Sequence, residues 1–483
     1  MKKRKIIIPA ILSILACGSI AAGSTYALFT SESKVNVAIT SGKVEVNATL
    51  SGLEAYSPTE IATDGTISNN TNLANNENEI KVFGNGGTAQ IDEGTLKLSN
   101  VTPGDKVSFD IKINNKSSVK ALYRVVIGCN KDNGLFEGLD VNLNAGDLEF
   151  TQNVSGITAI SKYVQIEPNS IEKSIKVDIE LPSTKGNTYA GKECEIECKV
   201  EAVQANAQVE EVEASTLRLY SATDLVSYSK LESECTSIES ALYNYTTIEL
   251  MNDIDMNGIE WTPIMGRSGS IKEKVNYVTT FEGNGYTISN LKANETTDGS
   301  YYYSGFFGCV ARFNISNLII AEATIDSTHY AGGIAGQLLY NSKLENCKVT
   351  NSKITSTIED KNNDGTYDNG DKVGGLVGHV SSNGITITKC EVSGCEITGY
   401  RDIGGFFGYA EGDLVINSGI CNNNTIKSIV KLNEDNIVYN YKNILDNSNS
   451  DLNLGEIIGR NPSNISTNNV STNNNTIVKP FSE

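Results

Sequence analysis

The chain is predicted to be all-β and in two parts: a jelly-roll-like N-terminal β-sandwich, then a C-terminal right-handed parallel β-helix. Three observations predict it. First, a glycine phrase recurs: Ser304-Gly305-Phe306-Phe307-Gly308, Gly332-Gly333-Ile334-Ala335-Gly336, Gly374-Gly375-Leu376-Val377-Gly378 and Gly404-Gly405-Phe406-Phe407-Gly408, with a worn copy at 454–459. Each is followed by an alternating apolar and polar run, and a period of roughly 20–50 residues marks units that bury their faces by stacking on one another. Second, runs before residue 207, such as Val107-x-Phe109-x-Ile111-x-Ile113, alternate with the period of a half-buried strand. Third, 43 Gly, 21 Tyr and only 8 Pro, with many Asn, Thr, Ser, Ile and Val, favour strands and tight turns over helices.

Residues 1–27 read as a secretory signal. Lys2-Lys3-Arg4-Lys5 precede an apolar stretch over 6–22 and a small-residue end, Ser24-Thr25-Tyr26-Ala27. Pro9 and the short apolar length argue against a permanent span, and no later apolar run of about 20 residues follows. Ile14-Leu15-Ala16-Cys17 faintly resembles a lipoprotein cleavage box, but Leu15 fits it poorly and cleavage after Ala27 is preferred. No sortase-type Leu-Pro-x-Thr-Gly lies near the C-terminus. The expected location is secreted, extracellular and cell-surface associated, with no membrane contact after signal removal.

Removal of the four basic residues of the leader would take the formal charge from −19 to −23. Such a surface repels phosphate backbones and disfavours nucleic acid as a partner. His329 and His379, the two histidines of the chain, exclude a multi-histidine zinc site and His-Glu-x-x-His chemistry. Both lie beside glycine phrases, where a turn or coil role is the commoner one.

Residues 28–207 form the expected sandwich. Tyr123-x-Val125-x-Ile127 and Ile175-x-Val177-x-Ile179-x-Leu181 alternate like the strand above, and Pro103-Gly104-Asp105 reads as a turn. Asn-rich 69–78 reads as a mobile loop. Thr25-Tyr26-Ala27-Leu28-Phe29-Thr30, Thr40-Ser41-Gly42-Lys43-Val44-Glu45-Val46, Leu98-Ser99-Asn100-Val101-Thr102-Pro103-Gly104-Asp105-Lys106 and Asn187-Thr188-Tyr189-Ala190-Gly191-Lys192 agree in order and spacing with one family. This stretch resembles TasA/camelysin-type matrix proteins, which are exported through a signal peptidase of the SipW kind. The resemblance implies fibres in which residues 28–50 complete the sheet of the next subunit. Pairing of that strand within its own chain is the equal alternative. The metalloprotease activity ascribed to camelysin is not carried over, because no zinc-protease motif is present.

Acidic residues 208–220 read as a linker, and 221–483 as a capped β-helix. Ser221-Ala222-Thr223-Asp224 looks like a helix start, with Leu225, Tyr228 and Leu231 on one face, as a cap over the first coil requires. Thr247-Ile248-Glu249-Leu250, Asp253-Ile254-Asp255-Met256, the Asn257-Gly258 turn, Trp261 and the run from Phe281 to Leu291 lead into the glycine phrases. The series resembles the GLUG-repeat regions of bacterial surface proteins. Paired glycines permit a sharp corner and close approach of successive coils. Cys347, Cys390 and Cys421 are expected in one interior column. Buried free thiols are favoured over disulfides, and Cys194 and Cys198 share a strand face too far apart to bridge. Asn-rich 433–453 and 461–475 read as irregular.

The sharpest chemical motif is the run from Asp360 to Asp371. It places Asp360, Asn362, Asp364, Thr366 (through its carbonyl), Asp368 and Asp371 at the ligand positions of an EF-hand-type loop, with Gly365 at the sixth. Structural Ca2+ is the implied cofactor. Asp371 stands where the longer Glu is usual, and the flanks read as strands. Gly84-Asn85-Gly86-Gly87 reads as a loop. The carboxylate pairs Asp253/Asp255 and Glu411/Asp413 are the residues a polysaccharide-cleaving enzyme could use. The function expected is that of a non-enzymatic matrix, biofilm or adhesion protein. Its expected partners are further copies of itself or other matrix subunits, and a polysaccharide or a host or cell-surface ligand. A carbohydrate-active β-helix hydrolase or lyase is the alternative.

Overall fold

The computed structural model describes the chain between residues 30 and 478, except 35–43, 63–65, 76–78, 93, 145, 147, 208–211, 214, 235–244, 265–277, 298–301, 358–370, 382, 429–453, 456 and 461–464. The chain is all-β, with antiparallel sheets N-terminally and parallel sheets C-terminally.

Two antiparallel sheets face each other in the first part. One runs in the order Phe150–Gln152, Ala159–Ser161, Ala121–Asp132, Glu193–Gln204, Thr95–Ser99, Thr88–Asp92, Lys81–Val82. The other runs Ile67–Asn72, Val46–Ile61, Lys106–Asn115, Lys173–Glu180, Asp140–Asn144. Alternation along each strand sends Val107, Phe109, Ile111 and Ile113 from one sheet, and Val125, Ile127, Ile196 and Val200 from the other, into a shared core. Buried Asp105 fixes the Pro103-Gly104 turn by accepting the Thr102 amide at 2.8 Å, while Gly104 takes φ 92°. Part of the expected mobile loop is ordered, because Ile67–Asn72 pairs with Val46–Ile61 as an edge strand.

The second part is a coil with five walls. Each full turn contributes one strand per wall, as in Phe313–Ser316, Ile319–Ala321, Thr324–Ser327, Tyr330–Gly332 and Ala335–Leu339. Equivalent residues of successive turns pair in parallel, so identical chemistry stacks. Leu217, Ile248, Phe281, Ile315, Leu344, Ile387 and Ile416 form the interior column of the first wall. Each such side chain stabilises by about 1.5–3 kcal/mol relative to exposure. The repeat is 29 residues from Ile315 to Leu344 and again from Ile387 to Ile416, but 43 from Leu344 to Ile387 and 51 from Ile416 to Thr467. The longer turns carry their extra residues between the third and fourth walls.

Three kinds of corner make the turn. Between the fourth and fifth walls the glycine phrase lets backbones touch: a Cβ on Gly374 would lie 2.1 Å from the Val377 carbonyl oxygen and 2.5 Å from that of Phe406. The corner after the first wall places Asn317, Asn346 and Asn469 at φ 52°. The corner after the second places Asn290, Asn351, Asn423 and Asn474 between 50° and 58°. Asparagine tolerates this left-handed conformation better than other residues with a Cβ.

Cys347 and Cys390 share one corner column, tied through the Glu391 amide to the Cys347 carbonyl and the Ile420 amide to the Cys390 carbonyl. Cys421 is not in that column as expected. It lies on the second wall beneath Val392, two residues out of step. None of the eight described cysteines forms a disulfide, and all are buried.

The two ends differ. The first rung, Thr216–Leu219, falls within the stretch read as linker and pairs with Thr247–Leu250. The helix Ala222–Glu234 follows, burying Leu225 and Tyr228 against the coil core, with the Ser221 hydroxyl accepting the Asp224 amide. The sandwich docks here. Arg218 and Gln152 exchange backbone–amide hydrogen bonds at 2.8 and 2.9 Å, and Ile157 joins the coil core. Asp224, fully buried, accepts the Thr158 and Tyr220 amides, both at 2.7 Å; burial pushes its carboxyl up to about 6, against those hydrogen bonds. The last rung, Ile465–Asn468, Ser471–Asn473 and Thr476–Val478, is regular strand within the Asn-rich tail. Its interior positions are mixed: exposed Thr467 and Thr472 continue the columns of Ile416 and Cys421, while Ile465 and Ile477 continue those of Leu414 and Ile426.

Candidate functional site

The glycine corner folds the fourth and fifth walls close together, so side chains on their outer faces meet in columns. On the fifth wall, parallel register stacks Cys309, Gln337, His379 and Tyr409. Gln337 and His379 meet through Nε2 and Nδ1 at 2.9 Å, and the Cys309 thiol donates to the Gln337 Oε1 at 3.4 Å. With the Gln337 amide donating, Nε2 of His379 carries the proton and faces Glu411 Oε1 at 3.3 Å. Glu411 also accepts the Ser381 hydroxyl at 2.8 Å and the Tyr409 hydroxyl at 3.3 Å. Burial pushes the Glu411 carboxyl up, but these hydrogen bonds and His379 outweigh it and hold it below its ordinary value.

Rings surround this pair. His379 stacks on Tyr409 at 5.1 Å and meets the edge of Tyr330 at 5.1 Å. Tyr330 contacts Tyr303 at 5.6 Å, and His329 stacks on Tyr302 at 5.4 Å. Lys372 reaches over the Tyr330 ring at 4.4 Å and donates to its hydroxyl at 3.1 Å. Both histidines thus belong to one aromatic ridge. The sequence holds this signal only as a register: residues one coil apart must be laid side by side before the ridge is visible.

Of the residues expected to bind calcium, Asp360, Asn362, Asp364, Thr366 and Asp368 lie outside the described residues. Asp371 opens the strand Asp371–Gly374 and pairs with Arg401 in the next coil. The pair Asp253/Asp255 serves turns: Asp253 accepts the Thr287 amide at 2.7 Å, and Asp255 accepts Asn257 and Asn290. Exposed Asp413 engages Asn383 through its backbone amide, so only Glu411 of the second pair enters the ridge.

The family model of the GLUG motif matches residues 327–355, which span one glycine phrase and the strands on either side of it. This supports a repeat protein of the GLUG kind in the coiled part. A search of curated proteins finds no match. Among solved structures, the chain is similar to a provisionally assigned immunoglobulin A1 protease from Bacteroides ovatus, at 16% identity and a TM-score of 0.36, over 54% of this chain and 83% of that one. At that score the likeness carries no argument about activity. Among the described residues, no helix is long and apolar enough to cross a membrane.

Proposed function

We propose that this chain is an exported, non-enzymatic matrix or cell-surface adhesion protein of the TasA/camelysin-like kind, which self-associates through its N-terminal strand and presents the coil as spacer and binding surface. The observation that carries this reading is a shared strand edge. Glu193–Gln204 pairs along its length with Ala121–Asp132 on one side. Its other side is divided: Glu193–Glu197 pairs with Thr95–Ser99, and Lys199–Val203 pairs with Thr30–Lys34. Within one chain, then, the N-terminal strand fills its own slot, the second of the two pairings the sequence allowed. A segment of five residues near the terminus is also what a second copy can supply with the same hydrogen bonds, at little net cost.

The basic-then-apolar leader and the acidic surface support export by a signal peptidase of the SipW kind and residence outside the cell. In this reading the loop from Asp360 to Asp371 takes structural Ca2+, and the aromatic ridge offers flat rings to a polysaccharide or other surface ligand. Nucleic acid and membrane are not partners.

The test mixes two single variants of the chain beginning at residue 28, Lys34→Cys and Lys199→Cys, which occupy paired positions. Strand exchange gives disulfide-linked dimers from the mixture and fibres by electron microscopy. Cross-linking confined to a double variant, within single chains, would refute assembly by strand donation.

A second reading, a carbohydrate-active enzyme, is favoured by one observation, the His379–Glu411 pair among tyrosines. New reducing or unsaturated ends from a polysaccharide, lost in Glu411→Gln, would establish it in place of the first.

A further inference from the structure

Away from the ridge, the sandwich brings two thiols and a carboxylate to one point. The Sγ atoms of Cys129 and Cys194 and a carboxylate oxygen of Asp132 lie within 4.8 Å of one another. Both cysteines are buried, at 1% and 2% exposure. Strand periodicity alone does not permit this meeting. Residues 129 and 132 are three apart, so a regular strand turns them to opposite faces. The ladder slips between them: Glu195 pairs with Lys131 but Ile196 with Cys129, leaving Asn130 as an extra residue. This bulge returns Cys129 to the face on which Asp132 pairs with Cys194.

The surroundings orient Asp132, while the Cys129 thiol makes bonds that it gives up when an ion displaces its proton. Asp132 Oδ1 accepts the amides of Leu135 at 2.7 Å and Phe136 at 3.0 Å, which locks its orientation. The Cys129 thiol donates to the carbonyls of Lys131 at 3.1 Å and Glu195 at 3.3 Å. Asp132 and Cys194, though not Cys129, line a groove of about 410 Å³ edged by Lys97, Lys131, Glu193 and Glu195, the side from which an ion would approach.

We propose that Cys129, Cys194 and Asp132 form a site for a borderline-soft divalent ion of the zinc(II) class, with the fourth coordination position open to the groove. Tetrahedral zinc holds sulfur at about 2.3 Å and carboxylate oxygen at about 2.0–2.2 Å, which separates neighbouring ligand atoms by roughly 3.5–3.8 Å. A cluster already within 4.8 Å reaches that geometry by side-chain adjustment of about 1 Å. Sulfur ligands select against calcium and magnesium, so the site is distinct in chemistry from the loop at 360–371. On binding, each thiol releases one proton to solvent, and the ion with two thiolates and one carboxylate carries one net negative charge beside Lys97 and Lys131.

The experiment titrates the chain from residue 28, freed of metal under reductant, with Zn2+ alone and separately with Co2+. The expected result is zinc binding whose affinity falls about 100-fold or more in Cys129→Ser and Cys194→Ser and about 10-fold in Asp132→Asn, which keeps an oxygen for the Leu135 and Phe136 amides. Cobalt should show thiolate charge-transfer absorption and tetrahedral visible bands. Cys198→Ser, buried further along the same strand face, should bind as wild type does. Should a serine variant fail to fold, the cobalt spectrum of the native chain and the Asp132→Asn titration decide the matter. Cobalt binding without thiolate absorption, or equal loss in Cys198→Ser, overturns the site. So does a Cys129–Cys194 disulfide in protein isolated without reductant if the reduced form binds no zinc.

Discussion

The sandwich and the coil solve the same problem, burying one face of many short strands, under opposite rules of register. In the coil the described strands pair in parallel with their counterparts one turn away, Thr296–Thr297 against Tyr302–Ser304 excepted, so a longer turn leaves the register intact. Ile354 still pairs with Ile397, and Ile426 with Ile477, across the two lengthened turns. In the sandwich, hairpins such as Thr88–Asp92 with Thr95–Ser99 sit beside pairings distant in sequence, and a slip of one residue decides which side chains meet, as Asn130 does for Cys129 and Asp132. The coil therefore spreads chemistry into ladders such as the aromatic ridge. The sandwich concentrates it at single points, the thiol cluster and the slot for the N-terminal strand.

The largest effect should come from the coil's glycine corner. Gly374→Ala drives a Cβ into the Val377 and Phe406 carbonyls and should cost more than about 4 kcal/mol, read by denaturant unfolding. The matching change in the sandwich hairpin, Gly86→Ala, meets nothing within 4 Å and carries only the strain of φ 86°, about 1–2 kcal/mol. Equal losses would erase the contrast between the two regions.

The junction between the regions should come next. Asp224 has a folded value of about 6 against an ordinary 3.8, so between those values the native state holds a proton that the unfolded chain releases. Its contribution is therefore fully present below about pH 4 and is lost as pH rises through 6, a change of roughly 1–3 kcal/mol. Urea unfolding of wild type and Asp224→Asn across pH 4 to 7 should give curves whose difference has that slope. Parallel curves would show that the carboxyl does not titrate there. The smallest effect belongs to the Asn corners. Asn346→Ala should lose about 1 kcal/mol and Asn346→Gly almost nothing, because only φ 52° and one side-chain bond to Asn317 are at stake.

Much of the coil was legible in advance. The glycine phrases, the alternating runs and Leu225 and Tyr228 of the cap all follow from apolar periodicity. The other corners were not, because a left-handed Asn leaves no mark on a hydrophobic pattern, and the tail that builds the last rung read as irregular for the same reason. The column of three cysteines failed on register: 43 residues separate Cys347 from Cys390, but 31, not 29, separate Cys390 from Cys421. The bulge at Asn130 was hidden, since alternation places Cys129 and Asp132 apart and pointed instead to Cys194 and Cys198. Asp224 was recognisable as part of a helix start, whereas its bonds to Thr158 span 66 residues.

The slot along Lys199–Val203, filled within one chain by Thr30–Lys34, should accept the same strand from a second copy, and one measurement addresses this directly. A chain beginning at residue 36 is mixed with a synthetic peptide of residues 28–35, and amide hydrogen exchange is followed over Lys199–Val203. Rapid exchange is expected in the shortened chain, and restored protection when the peptide is added. Protection that is already complete without the peptide, or unchanged by it, would contradict strand donation as the means of assembly.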